Sequence, residues 1–372
     1  MINLQEMSKL GFGLMRLPEK DGRVDFERVS GMVDSYLAAG LNYFDTAYVY
    51  HGGVSEVAVK ECLVKRHPRE SFMVATKLPA WELHSMEDRE KVFNTQLERT
   101  GAGYFDFYLL HSLEDGGNYP TYERYDCFNW CMEKKRQGLI KHFGFSFHGT
   151  PELLEKVLDM HPEVEFVQIQ LNYLDWDDPV IQSGRLYNIL HERNIPMIIM
   201  EPVKGGTLAN LTPDKTAVFE ECTPGRSAAS WALRFVASLP GVMTILSGMS
   251  NEEQVADNLK TFGSFEPLSR QEQAAVTRVR GIMRGTPLIG CTACRYCTDG
   301  CPMEIDIPEI FKAVNAMRLD PKAWRPRNHY RFATEGHGRA GDCVACGQCE
   351  SVCPQHLDII ELLKEAVEIF EK

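Results

Sequence analysis

Tyr43-Phe44-Asp45-Thr46-Ala47-Tyr48-Val49-Tyr50-His51-Gly52-Gly53-Val54-Ser55-Glu56 is the stretch on which the fold turns. An apolar run ends in Asp45, and Tyr50 follows on a glycine-bearing loop, so a carboxylate and a phenol leave one strand end together. Residues 72–76 form a second apolar run closed by Lys77, and 107–110 form a third closed by His111. Three successive strands would therefore present Asp45, Lys77 and His111 at the same edge. Taken singly, Asp45 reads as a helix cap, Lys77 as a solvated loop lysine and His111 as a core histidine; their recurrence on consecutive strand ends argues for a shared site.

Outward from that stretch the chain alternates. Strands are expected at 10–17, 42–46, 72–78, 105–111, 142–147, 166–172, 196–202 and 243–248, with helices near 25–40, 56–66, 87–100, 122–137, 151–160, 179–193 and 224–238. Thr150-Pro151 reads as a cap with a first-turn proline, and Ser250 with Glu253 as a capping box opening an eighth helix that fades near Phe262. Eight strand-helix units imply a parallel sheet closed into a (β/α)8 TIM barrel. Gly11-Phe12-Gly13 is not a dinucleotide fingerprint, because Arg16 stands where the third glycine belongs.

At 372 residues the chain exceeds one barrel of about 250 residues, leaving room for a smaller unit. A formal charge of −12 argues against a nucleic-acid partner, since phosphate neutralisation needs clustered Lys and Arg. The first ten residues lack a secretory apolar region, and no apolar run has the length of a membrane span, so a cytoplasmic protein with no membrane partner is expected. Eight of twelve cysteines fall in two C-terminal runs, which points to metal ligands rather than disulfides. Cys62, Cys127, Cys131 and Cys222 read as structural thiols.

The residues Asp45, Tyr50, Lys77 and His111, with their spacing, resemble the active-site tetrad of the aldo-keto reductases, (β/α)8 barrels that reduce carbonyls with a nicotinamide cofactor. The resemblance spans roughly the first 260 residues. It implies a small-molecule carbonyl substrate, or an alcohol in the reverse direction, with Tyr50 as the proton donor. An ordinary tyrosine, with a pKa near 10, needs a neighbouring cation to exchange protons at neutral pH. Lys77 would supply that cation, Asp45 would hold it, and His111 would hydrogen-bond the substrate oxygen. The Gly52-Gly53 pair makes this loop one residue longer than the commoner family form.

The same resemblance places cofactor contacts on later strands. Ser146 and Gln168 match positions that bind the nicotinamide carboxamide, and Gln170 shares the strand face of Gln168. Gly205, in Glu201-Pro202-Val203-Lys204-Gly205-Gly206, and Gly248 with Ser250 match backbone approaches to phosphate, while Gln254 and Asn258 match the adenine end. Members that prefer NADPH commonly carry Lys or Arg where this chain has Ser250, so NADH is the more compatible form. Trp81, Trp176 and His148 sit just past strand ends, to line the pocket or to pack the loops.

Cys291-x2-Cys294-x2-Cys297-x3-Cys301-Pro302 and Cys343-x2-Cys346-x2-Cys349-x3-Cys353-Pro354 repeat the run of two-cluster ferredoxins, in which the fourth cysteine serves the other cluster. Two 4Fe-4S clusters are expected, one on Cys291, Cys294, Cys297 and Cys353, the other on Cys343, Cys346, Cys349 and Cys301. Between the runs lie an apolar-periodic stretch at 307–319 and a basic loop through Trp324, Arg325 and Arg331, a spacing like that of α-helical ferredoxins. A capping pair, Ser269 with Glu272, starts a helix to about Arg284, and 357–370 is a closing helix. The expected domains are a barrel at 1–265, a connecting helix at 266–287 and a mainly α-helical 4Fe-4S ferredoxin-like domain at 288–372, near the barrel mouth. Hydride chemistry moves two electrons and a cluster one, which leaves three roles for the clusters: structure, service to a flavin, or exchange with a ferredoxin or other redox partner. A nicotinamide-independent redox or lyase-like enzyme, and an electron-transfer or redox-sensing subunit on a barrel scaffold, remain alternatives; oligomeric state is not encoded.

Overall fold

A computed structural model describes residues 7–114, 118–178, 181–285, 287–319 and 325–372. The polar start at 1–6, Pro179, Thr286 and Trp324 lie outside the described residues. Eight strands, β1 Leu10–Gly13, β2 Tyr43–Asp45, β3 Met73–Pro79, β4 Phe105–Leu113, β5 Ile140–Phe147, β6 Phe166–Gln170, β7 Met197–Met200 and β8 Val242–Ser247, pair in parallel in chain order. β1 pairs with both β2 and β8, which closes the barrel. Strands buried on both faces read as near-continuous apolar runs, which is why they are visible in the sequence.

Alternation along each strand decides what fills the barrel. Tyr43, Met73, Ala75, Phe107, Leu109, Phe166 and Ile198 form one buried cluster. Two residues further along, the same inward parity reaches Asp45 on β2, Lys77 on β3, His111 on β4 and Gln168 on β6. The apolar filling therefore ends in a polar layer at the carboxyl ends of the strands, where barrel enzymes keep their chemistry.

Several elements differ from the sequence expectation. The first strand stops at Gly13, and a short antiparallel hairpin, Glu19–Lys20 with Arg23–Val24, follows it. The helix expected at 56–66 is one α-turn, Val54–Ala58, running into a π-turn at Val59–Val64. The helix expected at 122–137 is two, Asn118–Arg124 and Cys127–Arg136, broken where Asp126 adopts a left-handed φ of 48°. Pro213–Cys222 forms an unforeseen helix. Asn251, rather than Ser250, caps the helix Glu252–Gly263, accepting from the Gln254 N–H at 2.9 Å. The basic loop is helical from Arg325 to Ala333. Thr150 and Ser269 cap as expected, the latter in a complete box with Glu272.

The chain divides into two compact units, Met1–Pro202 with Ser230–Leu268, and Val203–Ala229 with Ser269–Lys372. The second folds one pattern twice. Ala293 and Ala345 both have φ 54°, Arg295 and Gly347 have φ 68° and 77°, and Glu304 and His356 have φ 52° and 49°. Each Cys-Pro corner closes with the same bond, Glu304 N–H to the Cys301 carbonyl and His356 N–H to that of Cys353, both 3.0 Å. Each leads into a helix, Ile307–Leu319 and Ile359–Phe370. Ile307, Ile310, Phe311 and Val314 from the first helix join Ile359, Leu363 and Ala366 from the second in one core that includes Cys297 and Cys349. No helix among the described residues is long and apolar enough to cross a membrane.

Candidate active site and cysteine centres

Lys77 is wholly buried, and its ammonium donates to Asp45 Oδ1 at 2.6 Å and to the Thr46 carbonyl at 2.7 Å. Burial pushes Asp45 up from the ordinary carboxylate range and Lys77 down from the ordinary lysine range, and their mutual attraction opposes both shifts. The Tyr50 ring lies over this pair, its centroid 5.0 Å from Lys77 Nζ and 6.1 Å from that of His111. Burial first, then the Lys77 and His148 charges, hold His111 well below the usual imidazole pKa, so it is neutral near pH 7. Asp45, Tyr50, Lys77 and His111 thus meet at one point.

Local structure aims these groups. The β4–β5 register slips between Leu110 and Leu113, a bulge in which Ser112 adopts φ 57°. Bulges beside active sites redirect side chains. The Ser112 N–H leaves the ladder and donates to Ser146 Oγ at 2.7 Å, and the Tyr122 hydroxyl lies 2.7 Å from the carbonyls of both Leu78 and His111. The longer Tyr50 loop is taken up by three successive left-handed residues, His51, Gly52 and Gly53. His51 fixes it, accepting from the Leu17 N–H at 3.2 Å and facing Glu19 at 3.2 Å.

A buried polar group beneath Lys77 escaped the sequence reading. Gln96 Nε2 lies 3.0 Å from Glu56 Oε1, 3.0 Å from Thr76 Oγ1 and 2.9 Å from the Lys77 carbonyl. Arg99 donates to Glu56 at 3.3 Å and to the Tyr48 carbonyl at 3.1 Å, tying this group to the Tyr50 loop. The signal available was Gln96 itself, a polar side chain on the buried stripe Val92, Phe93, Gln96, Thr100 of its helix, Asp88–Thr100. Arg16 and Glu201, paired at 3.4 Å near Gly248, were also unforeseen.

Residues matched to a cofactor are placed unequally. Gln168 is buried, its amide nitrogen 3.4 Å from Met200 Sδ and its Oε1 without a hydrogen-bond partner among the described residues. Gln170 is instead engaged with buried Asp175 at 2.8 Å. Asn258 donates to Ser247 Oγ at 2.8 Å, and Gln254 accepts from the Ser250 N–H at 2.7 Å, so both are tied to the end of β8. Gly205 belongs to the second unit, where a Cβ would meet the Thr292 backbone at 2.6 Å; close packing against the first cysteine loop accounts for a glycine there. Trp81 packs against His111 at 5.2 Å, whereas Trp176 packs on Tyr187 and Phe235.

In the second unit, Cys301, Cys343, Cys346 and Cys349 line one largely apolar cavity. Cys297 sits close enough to Cys294, Cys291, Cys353 and Cys349 for their charges to add to burial in raising its thiol pKa. Four cysteines lining an apolar cavity, on loops with left-handed alanines of which Ala293 already donates its N–H to Cys291 Sγ at 3.4 Å, are a donor set suited to an iron-sulfur cluster. Cys62, Cys127 and Cys131 are buried apart from these runs, and burial pushes the Cys127 thiol up to about 12.

Comparison with known proteins finds two families along the chain. The Aldo/keto reductase family model matches residues 9–280, and a 4Fe-4S dicluster domain matches residues 290–357. An aldo-keto reductase of Mycolicibacterium smegmatis is 28% identical over 243 residues, covering 65% of this chain and 79% of that protein. L-galactose dehydrogenase of Arabidopsis thaliana is 24% identical over 296 residues, covering 75% and 91%. Among solved structures, the holo form of an aldo-keto reductase from Bacillus halodurans superposes with a TM-score of 0.59 at 23% identity, covering 73% of this chain and 92% of that one. An aldo-keto reductase of Klebsiella pneumoniae in complex with NADPH gives 0.60 at 19%, covering 74% and 91%.

Proposed function

Because the chain belongs to the aldo/keto reductase family across residues 9–280 and carries a 4Fe-4S dicluster domain at 290–357, we propose that it reduces a small-molecule carbonyl with a nicotinamide dinucleotide, Tyr50 acting as general acid. The observation that carries this reading is the buried Lys77–Asp45 pair, with Lys77 Nζ 5.0 Å from the Tyr50 ring centroid. A bound nicotinamide dinucleotide would supply the hydride to the carbonyl carbon. Tyr50 gives its phenolic proton to the carbonyl oxygen, leaving an alcohol, and regains a proton from water. A unit charge at about 5 Å stabilises the developing phenolate by roughly 3 kcal/mol at an effective dielectric near 20, on the order of a hundredfold in rate. Neutral His111 donates a hydrogen bond to the same oxygen without competing as an acid.

The carboxamide of a nicotinamide suits the buried, unpartnered Oε1 of Gln168, which needs an N–H donor. Neighbours of the same fold hold NADPH or NADP, which supports NADPH over the NADH expected from Ser250. A hydride carries two electrons and each cluster takes one, so the carbonyl reaction is assigned to barrel residues alone. Cys291, Cys294, Cys297 and Cys353 would hold one cluster, and Cys301, Cys343, Cys346 and Cys349 the other, each supplying one-electron chemistry.

A nicotinamide-independent reaction is the second reading. It is favoured by the start of the helix Glu252–Gly263, where the Gln254 N–H is taken by Asn251 and the preceding Ser250 N–H by Gln254 Oε1. Anaerobic addition of NADPH to cluster-loaded protein, followed by a reactive aromatic aldehyde, tests both. Binding followed by aldehyde-dependent loss of NADPH absorbance supports the reductase, whereas failure to bind either NADPH or NADH, with clusters intact, moves the second reading forward.

A further inference from the structure

We propose that Arg295 sets the two clusters at unequal potentials, making the centre on Cys291, Cys294, Cys297 and Cys353 the easier one to reduce, an inference that rests on the cysteine assignment above. The basis is the repeat within the second unit. Its two cysteine loops follow the same backbone path, and the residue after the second cysteine is left-handed in both, φ 77° at Gly347 and φ 68° at Arg295. A left-handed position is glycine's natural place, and the second loop has glycine there. The first loop bears a long cation in the same strained conformation, and such outliers cluster where the side chain has work to do.

That cation is held at its own loop. Arg295, half exposed, places Nη2 2.7 Å from Asp306 Oδ2, and the Asp306 side chain is only 11% exposed. The guanidinium interacts electrostatically with Cys297, and with Glu309, which is already bonded to Lys312 and His329. A second cation reinforces it, since Lys204 Nζ lies 3.6 Å from where a Cβ on Gly290 would stand. The second loop has different company. Gly347 offers no side chain, Asp342 and Glu350 flank the cysteines of that loop in sequence, and the exposed Lys364 interacts with Cys343.

Each cluster gains one negative charge on reduction, so fixed positive charge favours its reduced form. Solvent at the exposed Cys346 works the same way at the second centre, where Cys349 is buried and Cys301 and Cys343 are partly buried. Asp306 offsets part of the Arg295 charge, Lys204 adds a second cation at the first loop, and we take the positive charge that remains there as the larger effect.

The test is EPR of the reconstituted full chain, with about eight irons bound, reduced anaerobically at poised potentials. Wild type should show two one-electron steps. Cys294→Ser should alter the step at the higher potential, which assigns it. Arg295→Gly, matched to the left-handed backbone, and Arg295→Gln should both move that step to more negative potential and leave the other in place. Unchanged potentials in both arginine variants, or a shift confined to the step that Cys294→Ser leaves alone, would overturn the proposal while the cluster assignment stood. Iron content near four, with one step, would instead remove the assignment and the proposal with it.

Discussion

Lys77 Nζ stands 2.6 Å from Asp45 Oδ1, with both side chains buried beneath the Tyr50 ring. Removing one partner of such a pair leaves an uncompensated charge in the barrel, at a cost of about 3–5 kcal/mol. Asp45→Asn is therefore expected to lower unfolding stability by about 3 kcal/mol in urea melts and to reduce kcat. Lys77→Met removes the cation, and on the Coulomb figure above should cut kcat by on the order of a hundredfold. Unchanged kcat in a folded Lys77→Met protein would disconnect the pair from the chemistry.

The pH dependence follows from two displaced groups. His111 is held well below its ordinary pKa by burial and by the Lys77 and His148 charges, so kcat/KM should be flat through the ordinary histidine range near pH 6.5. Burial lowers Lys77, and the ammonium is the active form, so activity should fall as pH rises through a value below the ordinary lysine pKa of about 10.4. A histidine-like limb near pH 6.5 that disappears in His111→Asn would contradict this.

Gln168 and Gln170 share a strand face but should separate in experiment. Gln168→Ala frees no buried partner and should weaken NADPH binding roughly tenfold, about one hydrogen bond's worth. Gln170→Ala removes a donor from buried Asp175 and should cost about 1–3 kcal/mol of stability. Fluorescence titration with NADPH beside thermal melts resolves the two; equal effects on both readouts would mean the strand face is not differentiated.

Glu165 gives a stability prediction away from the site. Burial alone would raise its carboxyl, but hydrogen bonds from His142, Lys135 and the Phe143 N–H overcome that and hold it at about 2. Its folded pKa is depressed, so the stabilisation is present above the unfolded value of about 4.3 and is lost as pH falls toward 2. With the side chain 26% exposed and partly screened, Glu165→Gln should cost about 1–2 kcal/mol at pH 7 and little near pH 2. A stability loss equal at both pH values would refute the linkage.

The barrel was legible because its strands are buried on both faces and read as apolar runs ending in a polar group. That single feature located Asp45, Lys77 and His111. The cysteine runs were legible through spacing alone. What escaped were elements set by tertiary context. Asp126 breaks a helix through its backbone conformation, and Arg325–Ala333 looked like a basic loop because its composition is polar. Glu56 was in view within the opening stretch, but nothing local says that a glutamate will be buried against Gln96 and Arg99. Gly205 looked like a phosphate-binding glycine, yet its tight neighbour is Thr292, nearly ninety residues away.

The most direct test of the central claim is Tyr50→Phe in the cluster-loaded protein, measured as NADPH-dependent reduction of a reactive aromatic aldehyde alongside NADPH affinity. Loss of the general acid should lower kcat by about 10²–10⁴ while leaving the NADPH Kd near wild type. Wild-type turnover in Tyr50→Phe would contradict the account, since no proton donor would then be needed where the Lys77–Asp45 pair stands.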